Sequence, residues 1–449
     1  MTQPSTLHAA RHVPRYTSYP TAPHFGSEVG PALYRSWLAA LDPAEPVSVY
    51  VHVPFCAELC LYCGCQMTVT RKHEPISAYL DLLLRELRLV DRALGARRRV
   101  SHLHFGGGSP TILDPSEFGR VMAALGATFA FDEDAERAVE VDPRSVSPAY
   151  VGALAQAGIN RVSIGIQSFD PLVQQTIRRR QSFELTARVV DWFRFAGVTG
   201  VNLDLMYGLP HQTVANVLET VHQALSLDPD RIALFGYAHV PWMKRHQALL
   251  PEAALPDSAQ RAEQFEAATQ RISAAGYIRI GLDHFAKPDD ELALKAAQGR
   301  VRRNFQGYTA DDAGALIGLG ASAISRCPQG YAQNASAVAD YREAVLRGDL
   351  PTARGISFTA ADRLRADVID RLMCDFRVDL EALCEHHRLP LAELDTDLGR
   401  LMPIVADGLA HCDGAVISIP AAGHNLARIV CSAFDARAGL ASGRHSAAL

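Results

Sequence analysis

The chain has 449 residues, 48% of them hydrophobic, so it can bury a large core and divides into roughly two or three domains. A net charge of −5 at pH 7 argues against a general nucleic-acid binder. No apolar run reads as a signal peptide or a membrane span, and nine cysteines, an odd and mostly scattered set, do not form a secreted disulfide framework. A reducing, cytoplasmic setting is expected.

Residues 1–43 are polar, with His8, Arg11, Arg15, Tyr16 and Tyr19, and read as an ordered arm rather than a core element. A repeating pattern then begins. Val47, Val49, Val51 and Val53 alternate with Ser48, Tyr50 and His52, the period of a strand with two unlike faces. A second strand is expected over 100–105, followed by Gly106, Gly107 and Gly108 and then a helix start. There Asp114 is the cap, Pro115 stands in the first turn and Glu117 completes a capping box. Further strands are expected over 137–142, at Val162, Ile164 and Ile166, at Val201, Leu203 and Leu205, and over 231–239. Helical stretches separate them, for example 184–196, stopped by Gly197.

Strands alternating with helices make parallel βα units, and six units rather than eight make an α/β fold of the open, three-quarter (β/α)6 kind. One strand face is aliphatic. The other is repeatedly polar, and an unpaired buried polar group costs about 1–3 kcal/mol. A bound polar cofactor at the C-terminal strand ends is the expected partner. The barrel with its extension is assigned to 44–350, the extension running from about 277 to 325 with Gly318 and Gly320. Residues 351–449 read as a small, mostly helical, winged-helix-like domain. Thr359 caps a helix to 376, two helical stretches follow, and Asp413-Gly414 turns a hairpin. It has no basic cluster, so nucleic acid is not expected there, and the Ala- and Gly-rich last dozen residues read as a loose end.

The loop after the first strand carries the chemistry. Three cysteines stand at Cys56-x3-Cys60-x2-Cys63, and Cys65 follows. Thiolates this close together are the ligands an iron–sulfur cluster needs. Three ligands on a four-iron cluster leave one iron open to a small molecule. Zinc or free buried thiols are the alternatives, but zinc sites usually pair two Cys-x2-Cys knuckles, and no second knuckle appears.

The triplet resembles the signature of the radical S-adenosylmethionine (SAM) superfamily, whose open iron chelates SAM. More narrowly, the chain resembles the oxygen-independent coproporphyrinogen III dehydrogenase (oxidase) family of haem synthesis. The likeness is carried by Pro-Arg-Tyr-Thr-Ser-Tyr-Pro-Thr at 14–21, Cys65, Gly-Gly-Gly-Ser-Pro-Thr at 106–111, Asp-Leu-Met-Tyr-Gly-Leu-Pro at 204–210, the block at 283–292 and Arg-Asn-Phe-Gln-Gly-Tyr at 303–308. It implies a radical SAM barrel and a [4Fe–4S] cluster on Cys56, Cys60 and Cys63. Gly106, Gly107, Gly108 and Ser109 would meet the amino group and methionine part of SAM, with Tyr62 nearby. Glu140, Gln167, Arg179 and Asp204 would hold two SAM molecules, with Tyr50, Ala238 and Ile324 lining the pair. On the residues alone, Glu140 and Asp204 could equally form structural ion pairs. Arg179 departs from the family pattern in being flanked by Arg178 and Arg180. The implied catalytic residues are Cys65, Tyr50 and His52, with Cys65 a free thiol beside the cluster rather than a ligand.

The implied substrate, coproporphyrinogen III, carries four propionates. Arginine forks match carboxylates best, so Arg15 and Arg303 are the substrate candidates, against the commoner fate of a solvated surface arginine. A one-electron donor such as flavodoxin or ferredoxin, a further electron acceptor and a monomeric chain are also expected. Two rivals share the cluster motif. A haem chaperone usually lacks both a cysteine at position 65 and the 14–21 block, and the 303–308 block argues against a radical methyltransferase.

Overall fold

The computed structural model describes residues 12–438. Six parallel strands lie side by side in chain order: β1 Val47–Val53, β2 Arg98–Gly107, β3 Phe129–Val141, β4 Arg161–Gln167, β5 Gly200–Tyr207 and β6 Arg231–Gly236. Each is followed by a helix on the outer face: α1 Glu74–Leu94, α2 Pro115–Thr128, α3 Pro148–Gln156, α4 Phe183–Phe195, α5 Val214–Ser226 and α6 Ser258–Ala274. The aliphatic strand face packs under these helices. Val47, Val49, Val51 and Val53 are all at most 2% exposed, and each such burial stabilises by about 1.5–3 kcal/mol. The helix starts are specified locally. Asp114 and Glu117 form the expected capping box on α2, and Asp257 with Gln260 forms another on α6.

Both edges of this parallel core carry more than the alternation predicted. Two short strands, β7 Ile278–Ile280 and β8 His284–Ala286, continue antiparallel from β6. On the opposite edge β9 Ala315–Leu319 runs parallel to β1, with Gly318 beside Tyr50. Three antiparallel strands follow it: β10 Ile324–Cys327, β11 Gly330–Asn334 and β12 Thr352–Ser357. The terminal strands of this 12-stranded sheet do not pair with each other, so the barrel stays open. Buried Glu86 on α1 ties the extension in place. It accepts from Gly320 N, Asn334 Nδ2 and Tyr341 Oη, each at 2.6 Å.

Three expectations need correction. The third strand begins at Phe129, because its first half is mixed and charged and hides the period of two. The sheet runs through β12, so the change of character comes at Thr359 and not at residue 350. The arm is not all arm. Pro31–Ala39 is a helix that buries Tyr34, Trp37 and Leu38 in the main core, while Val13, Tyr16 and Tyr19 belong to the C-terminal core. His8, Arg11 and residues 439–449, nearly all of the end expected to be loose, lie outside the described residues.

The C-terminal unit consists of α7 Ala360–Cys374, helices Leu380–His387 and Asp395–Ala406, a three-stranded sheet and α8 Ala427–Ala433. Thr359 caps α7 as expected, in a box with Asp362. Strands His411–Asp413 and Val416–Ser418 form the hairpin about Gly414. Among the described residues, no helix is long and apolar enough to cross a membrane.

Candidate active site

The cysteine loop leaves the C-terminal end of β1. Its neck is closed by a two-residue parallel pairing of Phe55 with Thr68 and Cys56 with Val69. The loop is then held from three sides. Leu61 N donates to Ile177 O at 2.9 Å, and Gln247 Nε2 donates to Tyr62 O at 2.9 Å. His246 Nε2 stands 2.8 Å from Cys63 O, and Lys244 Nζ donates to Cys65 O at 2.9 Å. From beneath, His52 Nε2 reaches Gln66 O at 3.0 Å. A carbonyl only accepts, so His52 carries its proton on Nε2, and Nδ1 accepts from Tyr50 Oη at 3.0 Å.

All four cysteines of this loop are free, and all line one cavity of about 1480 Å³. Arg179 Nη1 and Arg144 Nη2 lie 3.7 and 3.8 Å from Cys60 Sγ and hold its side chain in place. Burial, then the nearby Cys63 and Cys60 sulfurs, push the Cys56 thiol up to about 12. Thiolate charges disfavour one another at this spacing, and a bound cation relieves that cost.

The cavity sits at the C-terminal strand ends and collects the polar groups expected there. Glu140 accepts from Gly107 N and faces His104 Nε2, both at 3.3 Å. Gln167 is buried in a left-handed conformation (φ 70°), and its Oε1 has no hydrogen-bond partner. Arg179 donates to Gly165 O at 2.7 Å and pairs with Asp142, while its Nε is buried without a hydrogen bond. Burial would raise the Asp142 carboxyl, but the hydrogen bonds from Arg144 and the charge of Arg179 outweigh it and hold it at about 2. Asp204 accepts from Ser163 Oγ at 2.9 Å and Asn202 Nδ2 at 2.8 Å, both neutral. The structural ion pair is therefore not its arrangement. Burial lifts its carboxyl to about 6. Tyr62, Gly108, Ser109 and Ala238 also line the cavity. Gln167 and Arg179 both line this cavity, and the unpaired Gln167 Oε1 and Arg179 Nε leave them polar capacity that fits a zwitterionic ligand.

Other expected site residues lie elsewhere. Tyr50, His52, Gly106 and Gly107 stand behind the cavity wall, where His52 supports the cysteine loop; its place is positioning rather than catalytic contact. A Cβ on Gly107 (φ 112°) would lie 2.6 Å from the His52 ring, so close packing of β2 on β1 demands glycine there, apart from any ligand. Ile324 is not at this cavity. It is half-buried against the Phe25–Tyr331–Ile356 cluster. Arg303 lines a smaller neighbouring cavity, while Arg15 lines both.

Sequence reasoning missed Asp142 and Arg144, although an Asp-Pro-Arg directly after a strand ending in Glu140 was a usable signal. It also missed Lys244, His246 and Gln247, which lie in irregular chain with no period to read. The polar lumen needs a correction too. At the N-terminal strand ends its charges are paired within the protein: Arg161 and Arg231 each pair with both Glu136 and Asp290, at 2.8–3.2 Å.

The model of the Radical SAM superfamily matches residues 50–224. The oxygen-independent coproporphyrinogen III oxidase of Bradyrhizobium diazoefficiens is 46% identical over 97% of this chain and 97% of its own length. That of Paracoccus denitrificans is also 46% identical, over 97% of this chain and 96% of its own. The chain belongs to the oxygen-independent coproporphyrinogen III oxidase family. The solved Escherichia coli coproporphyrinogen III oxidase, a radical SAM enzyme, superposes with a TM-score of 0.90 at 38% identity, covering 95% of this chain and all of that one. Membership of this family brings a [4Fe–4S] cluster and SAM, and the thiol triplet and the orphaned polar atoms fit them.

Cys65 is exposed to the cavity, and its backbone N lies 3.3 Å from Cys63 Sγ. A cluster served by three cysteines keeps its fourth iron for SAM, so Cys65 is expected to act as a free thiol. Cys65→Ser should keep the cluster absorption and SAM affinity and lose most turnover. Full activity would reduce the residue to packing, and loss of the cluster would make it a ligand.

Proposed function

We propose that this protein converts two propionate side chains of coproporphyrinogen III to vinyl groups by radical SAM oxidative decarboxylation, giving protoporphyrinogen IX for haem synthesis without oxygen. The observation that carries this reading is the convergence of the cysteine triplet, the SAM-type polar groups and arginine on one cavity of about 1480 Å³. When bound, the reduced cluster and SAM would supply the radical chemistry that removes a hydrogen from the propionate carbon attached to the pyrrole. Carbon dioxide then leaves, and one electron passes to an acceptor.

The chain's own residues bind, orient and shield. Cys56, Cys60 and Cys63 would hold the cluster, with Arg144 and Arg179 steadying Cys60. Glu140, Gln167, Arg179 and Asp204 present donors and acceptors to SAM, and a volume this large supports a second SAM beside the first. Arg71, Lys72, Arg178 and Arg180 line the same cavity and draw a tetra-anionic substrate toward it. Arg15 of the arm lines the cavity, and Lys244 holds the cysteine loop at the Cys65 carbonyl. A flavodoxin- or ferredoxin-like donor, a monomeric chain and a cytoplasmic setting complete the reading, and nine free cysteines support a reducing compartment.

Anaerobic incubation with SAM, a reductant and coproporphyrinogen III tests it. Divinyl product and two carbon dioxide per turnover are expected. Stoichiometric haem binding without vinyl product would favour the chaperone.

A further inference from the structure

A second cavity, of about 490 Å³, shares Arg15, Gly236, Tyr237 and Ala238 with the large one. Four guanidiniums line it, each from a different part of the chain: Arg15 from the arm, Arg261 from α6, Arg303 from the extension and Arg428 from α8. Among the described residues that line it, two carboxylates oppose them. Asp257 is engaged as the cap of α6, accepting from Gln260 N at 2.8 Å. Asp283 lies 2.8 Å from His284 Nδ1 and 3.8 Å from Arg303 Nη1. Arg15 Nη2 donates to Gly236 O at 3.1 Å, and a Cβ on Gly236 would lie 3.3 Å from Arg261 Nη2, so both forks converge on the end of β6. Arg261 Nε and Arg303 Nε are buried without hydrogen bonds. Burial, followed by the charge of Arg15, lowers Arg428 to about 10. Among the described residues Arg15 and Arg261 form a salt bridge with neither carboxylate, and guanidiniums gathered in a concave site without a matching carboxylate call for an anion.

We propose that this annex is a carboxylate-binding subsite for the propionates that are not decarboxylated, with Arg261 and Arg428 as specificity-determining residues beside Arg15 and Arg303. The proposal rests on the function given above. It follows from the placement: the annex opens into the cluster cavity at Arg15 and Gly236, so a macrocycle anchored here by its retained carboxylates extends toward the cysteine loop. It also gives the C-terminal unit a task. That unit supplies Arg428, and it is tied to the barrel by Arg279 Nη2 donating to Asn425 Oδ1 at 2.8 Å. Neither Arg261 nor Arg428 is marked by strand period or motif, and only the fold brings them together.

The test uses the reconstituted holoenzyme. Arg261→Gln and Arg428→Gln should each raise KM for coproporphyrinogen III by about ten- to hundredfold, the range of a lost charge-assisted hydrogen bond. SAM affinity and the cluster spectrum should not change. Lysine at either position should recover part of the loss. Wild-type KM in both glutamine variants would overturn the proposal, as would a parallel loss of SAM binding, which marks a structural role. If Arg428→Gln does not fold, Arg261→Gln at the annex wall decides alone. Competition by inorganic phosphate as effective as that by a tetracarboxylate porphyrin would also overturn it, since the annex would then select charge and not a propionate-bearing ring. Absence of vinyl product in the wild type would instead sink the proposed function, which separates the two failures.

Discussion

Single replacement of Cys56, Cys60 or Cys63 by alanine is expected to abolish the cluster's visible absorption and its Mössbauer signature, and to reduce turnover to background. The three thiols stand in a loop pinned at its neck, on two flanks and from below, so they cannot rearrange to let two ligands do the work of three. Cys65 is the only other thiol in the loop, and its exposed position toward the cavity makes it the natural candidate for rescue. If it did take over, it would restore absorption while occupying the iron that SAM requires, and SAM cleavage would still be lost. Reconstituting each variant with iron and sulfide, then reading both the cluster and SAM cleavage, separates these outcomes. A triple variant that keeps a full cluster would show that the ligands lie elsewhere.

Much of this site was legible because its chemistry is local. The triplet spacing, the strand before it and the glycine run lie within one stretch of chain, and alternation placed the barrel strands and their C-terminal ends. What alternation could not tell was which polar residue on a strand faces a ligand. Glu136 and Glu140 lie on the same strand four residues apart. The first is neutralised by Arg161 and Arg231 in the barrel floor, and the second faces the cavity. Depth along the strand decides, and the sequence carries no marker of depth. His52 illustrates a second limit. A histidine next to the cluster loop reads as catalytic, but burial favours its neutral form, and its bond to the Gln66 carbonyl makes it a strut. The edges of the sheet were the least legible part of the fold. Strands β7, β8 and β10 are only three or four residues long, too short for a period to show. The annex arginines lie in four separate segments, and a pattern read along the chain cannot join them.

Asp204→Asn is expected to make the ligand-free protein more stable above neutral pH and at the same time to weaken SAM binding. The Asp204 carboxyl is buried against neutral Ser163 and Asn202, and burial raises it from 3.8 to about 6. A carboxyl raised in the folded state contributes its stability in full below the unfolded value, near 4. That contribution is lost as the pH rises through about 6, because the buried group must then ionise. A shift of about two units corresponds to a cost of about 3 kcal/mol at most at pH 8. The amide carries no charge, and its Nδ2 can donate to Ser163 Oγ where the acid accepted, so the variant escapes that cost. The gain in thermal midpoint should therefore be largest near pH 8, shrink through pH 6 and vanish near pH 4. The ionised carboxylate is retained, on this view, because SAM presents donors to it, so SAM affinity in the variant should fall by about tenfold or more. Calorimetric melts across this range, paired with SAM titrations at pH 8, give both halves. A stability difference independent of pH would remove the buried-charge argument. Wild-type SAM affinity in a destabilised variant would make Asp204 a structural acid and take it out of the site.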